Sequence, residues 1–215
     1  VINIDKLSYS FIENTFRFNK NERYQYHKAD ITDYNLLDEI FKKNEINIIV
    51  NFAAETHVDR SIDSSLDFVK SNVLGTTVLL ELAKKYKTNL FIQVSTDEVY
   101  GALELFDNRQ FSEYSLIQPN NPYAATKASA EYIALSYLKT HKVPVIITRC
   151  SNNFGPYQHP EKFIPTIINN ALNDRRIPIY GDGKNVRDWI YVIDHCIAIK
   201  ELILLLLLAK VVVLG

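Results

Sequence analysis

The chain has 215 residues, 47% of them hydrophobic and 23% charged, the balance of a globular protein with enough apolar material for a sizeable core. Its formal net charge of −1 gives no electrostatic basis for binding nucleic acid or an anionic membrane. Two cysteines, Cys150 and Cys196, are too few and too far apart for a disulfide framework or a Cys-rich zinc site, and make a reducing cytoplasm the default compartment.

Val1–Ile4 reads as a strand closing on Asp5, and Tyr24–Lys28 as a second closing on Asp30. With no methionine in the chain, Val1 is not a translation start. A strand with no preceding turn reads as a chain that enters mid-fold, and no signal peptide is visible. Leu36, Leu37, Ile40 and Phe41 stand at helical spacing and predict a helix from Thr32, its cap, to Lys43. Ile46–Phe52 is a continuous apolar strand. A long helix over 64–86 follows, then the strand Leu90–Val94, a helix over 122–141 and the strand Pro144–Thr148. Strands alternating with helices predict a parallel sheet covered on both faces, with ligands beyond the carboxyl ends of its strands. Asp5, Asp30, Ala53–Thr56, Ser95–Glu98 and Cys150–Asn153 all fall at such ends.

After Phe154 the pattern breaks at Gly155-Pro156-Tyr157. A helix over Phe163–Asp174 and short strands at Ile177–Tyr180 and Trp189–Val192, around the turn Gly181-Asp182-Gly183, read as a smaller lobe. The expected domains are 1–154 and 155–215. Leu202–Ala209 and Val211–Gly215 are nearly pure Leu and Val and read as a buried helix and strand. Their unbroken apolar part is far shorter than the roughly 20 residues a membrane helix needs.

Ser95-Thr96-Asp97-Glu98-Val99-Tyr100-Gly101 places a hydroxyl and two adjacent carboxylates at the end of a buried strand. In an extended segment neighbouring residues point different ways, so the two carboxyls would address different atoms of one ligand, an acid and a base with environments that push their pKa values apart. The alternative is a solvated helix start favoured by the dipole. Tyr123 and Lys127 stand four apart on the next helix and share a face. A free phenol has a pKa of about 10, and a nearby ammonium lowers it toward a working base. Exposed helices carry Tyr-x-x-x-Lys by chance; the helix start at Asn121-Pro122 and the upstream Ser-Thr strand end give this pair its weight. Asp5 is placed to hold the ribose hydroxyls of a dinucleotide, although the glycine-rich phosphate loop that should precede its strand is missing, and Lys6 beside it blurs NAD against NADP. Ala53 and Ala54 would let a cofactor approach the backbone. His57 has no metal-ligand spacing and is expected to be structural, hydrogen-bonded within its loop. Lys162, Arg187, Tyr180 and Trp189 together suggest capture of a diphosphate.

These residues resemble the extended short-chain dehydrogenase/reductases, and within them the NDP-glucose 4,6-dehydratases. The matching motifs are residues 3–7, Asn51–Ile62, Ser95–Gly101, Pro122–Ser129, Arg149–Gln158, Pro160–Pro165 and Arg187–Val192, and the likeness runs to about Ile199. Nucleotide-sugar epimerases of the same superfamily usually lack the Asp-Glu pair. The resemblance implies an α/β, Rossmann-type doubly wound parallel sheet with a smaller C-terminal substrate lobe, both ends incomplete.

It also implies a redox-neutral cycle. Tyr123, held as phenolate by Lys127, would take the C4 hydroxyl proton while the C4 hydride passes to NAD⁺. Glu98 would remove the C5 proton, Asp97 would protonate the departing C6 hydroxyl, and the hydride would return to C6, with Thr96 on the C4 oxygen. By the same resemblance Asp5, Lys6, Ser8, Asp30, Ile31, Ala53, Ala54, Ser71, Tyr123, Lys127 and Asn153 line the NAD site. Thr56, Asn152, Lys162, Phe163, Pro178, Ile179, Tyr180 and Arg187, with Thr96, Asp97 and Glu98, hold the nucleotide sugar. No metal is expected. The family implies a cytoplasmic homodimer joined through helices 64–86 and 122–141. dTDP-glucose is the expected donor, with UDP-glucose the alternative. The other readings are a nucleotide-sugar epimerase or decarboxylase, or a non-catalytic NAD-binding module.

Overall fold

A computed structural model describes residues 1–8, 18, 20–103, 108–179, 181–184 and 186–208. The chain divides into two compact units, Val1–Arg149 and Cys150–Gly215.

In the first unit, β1 (Ile2–Asp5) pairs in parallel with β2 (Gln25–Lys28), Asp5 standing opposite Lys28. β3 (Ile48–Asn51) pairs in parallel with β4 (Leu90–Thr96), and β5 (Val145–Cys150) borders β4 on its other side. β4 is buried along its whole length, as an apolar run at the centre of a covered sheet should be. Asn51 and Gln93 are register partners, and Asn51 Nδ2 donates to Gln93 Oε1 at 3.0 Å and to Thr76 Oγ1 at 3.1 Å. A one-residue slip would break this buried set, so it fixes the register. β1 and β3 line one cavity of about 520 Å³ together with Ile31, Phe41 and Leu79.

α1 (Tyr34–Lys43) packs Leu37, Ile40 and Phe41 into a core shared with Leu79, Leu80, Leu82 and Phe91. Each such side chain stabilises the fold by roughly 1.5–3 kcal/mol on burial. Its cap is Asp33, whose side chain accepts from Leu36 N at 3.0 Å, and not the expected Thr32. Thr32 instead donates its amide and hydroxyl to Asp30. The expected helix over 64–86 is not one regular helix. α2 (Val58–Asp63) precedes it, α3 (Leu66–Phe68) opens it, Val69–Gly75 is π-helical, and α4 (Thr76–Tyr86) completes it. Thr76 and Thr77 donate to the carbonyls of Asn72 and Val73 at 2.7 and 2.9 Å, side-chain bonds back onto the π-helical turn. Gly75 is required there: a Cβ would stand 2.4 Å from Ile31 Cδ1, so a bare backbone lets the loop after β2 rest on the helix. α5 (Pro122–His141) runs as expected, with Asn121 as cap and Pro122 at its first position.

In the second unit, β6 (Asn152–Phe154) pairs in parallel with β7 (Trp189–Tyr191), α6 spans Phe163–Leu172 and α7 Val192–Leu208. β6 has no apolar run to announce it. Residues 177–179 are not a strand, and Tyr180 and the Val211–Gly215 segment lie outside the described residues. No helix among the described residues is long and apolar enough to cross a membrane.

Candidate active site

β4 delivers Thr96 to the sheet's carboxyl edge, where the chain turns into a single 3₁₀ turn, Asp97–Tyr100. Asp97 and Glu98 therefore sit on a turn, not on the extended segment that the sequence suggested. Thr96 Oγ1 caps it, accepting from Glu98 N at 3.3 Å, and donates to Asp97 Oδ1 at 3.2 Å. Gly101, at φ 87°, closes it; a Cβ there would lie 2.5 Å from the Gln118 carbonyl oxygen. Asn121 Nδ2 donates to Glu98 Oε2 at 3.3 Å while Asn121 Oδ1 accepts from Ala124 N at 2.8 Å. One amide thus caps α5 and holds the Glu98 carboxylate at that helix's mouth.

Tyr123, Lys127 and Glu131 repeat every four residues and share one buried face of α5. Lys127 Nζ donates to the Val94 carbonyl on β4 at 2.7 Å, which pins the ammonium beside the strand end. Tyr123 N donates to Ser61 Oγ at 3.2 Å, and the Phe68 ring meets the phenol ring edge-on at 6.5 Å. Glu131 and Arg149 form a bidentate pair that also reaches the Tyr100 hydroxyl. The Glu131 carboxylate holds the Arg149 guanidinium above its ordinary value. Sequence spacing gave no sign of this network.

At the end of β1, Asp5 Oδ1 accepts from Leu7 N at 2.7 Å, and Oδ2 has no hydrogen-bond partner among the described residues. Lys6 Nζ meets Glu55 Oε1 at 3.0 Å. Partial burial pulls the Asp30 carboxyl up, but the two hydrogen bonds from Thr32 and the charges of Lys6 and Lys70 outweigh it and leave the group below the usual carboxylate value. Ala53 and Ala54 follow β3, Thr56 is exposed, and Ser71 is buried in the π-helical turn. Ser8 follows Leu7, whose φ is 58°. His57 stands at the start of α2 with Nδ1 buried and without a partner among the described residues, so the loop hydrogen bond expected for it is not made through that atom.

In the second unit, Asn152 Oδ1 on β6 is buried without a partner among the described residues. Asn153 Nδ2 donates to Cys150 Sγ at 3.3 Å and to the Ser151 carbonyl at 3.2 Å, and its Oδ1 lies 2.8 Å from His195 Nδ1. Burial pushes the His195 imidazole below its ordinary value. Lys162 immediately precedes α6; Phe163 opens it and stacks on Trp189, ring centres 6.0 Å apart. Pro178 and Ile179 are exposed, and Arg187 Nη1 donates to the Val186 carbonyl at 3.0 Å. No cluster of metal-ligating side chains occurs among the described residues.

The residues fit a dinucleotide. Asp5 keeps one carboxylate oxygen for a ribose hydroxyl, and Lys6 is engaged by Glu55 where a 2′-phosphate would need it. Ala53 and Ala54, both half-buried just past β3, put no bulky side chain there.

Parallel strands with acidic carboxyl ends, a Tyr-x-x-x-Lys helix and a capped Thr-Asp-Glu turn define a Rossmann-type α/β protein. Residues 1–205 match the family model described as GDP-mannose 4,6 dehydratase, and the chain belongs to that family. It is 46% identical to the dTDP-glucose 4,6-dehydratase of Haemophilus influenzae over 205 residues, 91% of this chain and 60% of that protein. The crystal structure of DesIV, the dTDP-glucose 4,6-dehydratase of Streptomyces venezuelae, with NAD bound, superposes with a TM-score of 0.89 at 42% identity, covering 94% of this chain and 62% of that one. The UDP-glucuronic acid 4-epimerase of Bacillus cereus, in complex with its sugar nucleotide and NAD, is 29% identical with a TM-score of 0.84, covering 100% of this chain and 67% of that one. The chain spans about three fifths of the length of the curated relatives it matches. The Rossmann-type fold expected from sequence is the fold these structures share.

Proposed function

We propose that this chain carries the NAD site and the catalytic groups of an NDP-glucose 4,6-dehydratase acting on dTDP-glucose. The observation that carries the reading is the capped Thr96-Asp97-Glu98 turn joined through Asn121 to the helix that bears Tyr123 and Lys127. Bound NAD⁺ supplies a hydride acceptor and later donor. Tyr123 takes the proton from the C4 hydroxyl, with Lys127 held by the Val94 carbonyl as its electrostatic partner. Oxidation at C4 acidifies C5, and Glu98 removes that proton. Asp97 protonates the C6 hydroxyl, which leaves as water, and Thr96 hydrogen-bonds the C4 oxygen. The Lys6–Glu55 pair favours NAD over its 2′-phosphorylated form.

Residues 155–215 belong to a nucleotide-sugar lobe in this reading. Lys162 and Arg187 take the diphosphate; Asn152, Phe163, Pro178, Ile179 and Tyr180 are the lobe's other substrate contacts. Val69, Leu74, Tyr132 and Leu138 are exposed apolar residues on helices 64–86 and 122–141, and support a homodimer through those helices. The absence of a disulfide between Cys150 and Cys196 is in keeping with the cytoplasm.

The test offers the complete protein, with NAD⁺, dTDP-glucose and UDP-glucose separately. A 4-keto-6-deoxy product, seen as the mass loss of one water, from dTDP-glucose is expected. Product from UDP-glucose alone overturns the choice of base. No product from either, with NAD⁺ bound, overturns the dehydratase and leaves the nucleotide-sugar epimerase as the second reading, which the epimerase superposition favours.

A further inference from the structure

The face of α5 that bears Tyr123 and Lys127 is tied at both ends to the turn that bears Asp97 and Glu98. At the helix start Asn121 donates to Glu98. One turn past Lys127, fully buried Glu131 receives Arg149 Nε at 3.1 Å and Nη2 at 2.6 Å, and Arg149 Nη1 donates to the Tyr100 hydroxyl at 2.7 Å. Tyr100 is the last residue of the turn and stacks on Phe111, ring centres 5.1 Å apart. A buried carboxylate–guanidinium pair costs heavily to desolvate and is no more stabilising than good apolar packing. What the planar fork supplies is direction: two of its edges lock onto Glu131 and the third is left aimed at Tyr100.

We propose that Glu131 and Arg149 are positioning residues that, through the Tyr100 hydroxyl, set the Asp97–Glu98 turn against the Tyr123–Lys127 pair. The assignment rests on the dehydratase reading. Oxidation at C4 uses the α5 pair and Thr96 at the end of β4, whereas loss of water needs Asp97 and Glu98 of the turn as well. In that step Glu98 takes the C5 proton, the C5–H electrons form the C5=C6 bond, the C6–O bond breaks, and the Asp97 proton leaves with the hydroxyl. A turn displaced from α5 therefore slows elimination and spares oxidation.

The test is Tyr100→Phe in the complete protein, which removes one hydroxyl and keeps the stack on Phe111. Water loss is expected to fall about tenfold, as small misplacements of reacting groups do. Bound NADH, read by its nicotinamide absorbance, then builds up in the steady state, while NAD⁺ affinity and Tm stay near those of the unaltered protein. Arg149→Lys, which keeps a cation beside Glu131 but loses the reach to Tyr100, gives the same signature with a larger loss. Wild-type elimination in Tyr100→Phe overturns the assignment. So does a uniform loss of turnover without NADH build-up, which marks a merely structural network. If the unaltered protein loses no water from its sugar nucleotide, the dehydratase reading itself falls and takes this assignment with it.

Discussion

Asn72 and Glu55 exchange two hydrogen bonds: Glu55 N donates to Asn72 Oδ1 at 2.8 Å, and Asn72 Nδ2 donates to the Glu55 carbonyl at 3.0 Å. A side-chain amide here acts as a strand would, satisfying both backbone groups of a loop residue. The same Nδ2 donates to Thr126 Oγ1 on α5 at 3.0 Å, so one buried asparagine joins the loop after β3, the π-helical turn and the helix of Tyr123. Asn72→Ala is expected to strand these groups and cost about 1–3 kcal/mol. Thermal melts read the loss as a lower Tm, and an NAD⁺ titration reads it as weaker binding. An unchanged Tm would show that water replaces the amide without cost.

Asp97→Asn and Glu98→Gln address the chemistry directly. Each amide keeps the shape of its carboxylate and cannot exchange the proton. Dehydration is expected to drop by roughly 10²–10⁴-fold, the usual worth of a general acid or base, while hydride exchange at C4 persists. Product mass spectrometry with C4-deuterated substrate separates the two steps. Dehydration at the normal rate in either variant would remove that carboxylate from the mechanism.

The sequence made the strand ends legible because apolar runs and acidic punctuation are local signals. Asp5, Asp30 and Thr96–Glu98 stand at or just past strand ends, as the alternation of strands and helices required. The π-helical turn at Val69–Gly75 was invisible because Leu66–Tyr86 is helical in spacing throughout, and the close approach of Ile31 to Gly75 leaves no mark on that spacing. The Tyr100–Arg149–Glu131 network was hidden for a different reason. Its members lie 18 and 49 residues from Arg149 along the chain, so no periodicity links them. Thr32 failed as a cap because Asp33, one residue nearer the first turn, competes for the same amides and Asp30 claims the threonine. β6 was missed since Asn152-Asn153-Phe154 has no strand composition; pairing with β7 alone makes it one.

Gly75→Ala tests the packing of the π-helical turn. The added methyl lands 2.4 Å from Ile31 Cδ1 and is expected to destabilise by about 1–3 kcal/mol, the usual range for overpacking. Ile31→Ala in the same chain should recover part of that loss. A double-mutant cycle by denaturant unfolding measures the coupling, and strictly additive effects would deny the contact.

Asp38 links α1 to α4. It accepts from Lys85 Nζ at 2.6 Å and Tyr86 OH at 2.7 Å, and Lys42 stands 3.0 Å away. These hydrogen bonds, Lys85 first, hold its carboxyl well below the ordinary value of 3.8. A carboxyl lowered by folding contributes stability above its unfolded value and loses it as pH falls through the folded one. Asp38→Asn is therefore expected to lower Tm at neutral pH, with the gap to the unaltered protein closing as pH drops below 3.8. A gap that stays constant in melts across that range would show that the carboxylate's charge contributes nothing.

β1 and β3 each have one edge that pairs with no strand among the described residues, and both strands line the same cavity. Ile2–Asp5 and Ile48–Asn51 contain no lysine or proline, the residues that discourage edge pairing. Both edges therefore keep backbone donors and acceptors directed into one cleft, the arrangement by which an extended segment adds to a sheet.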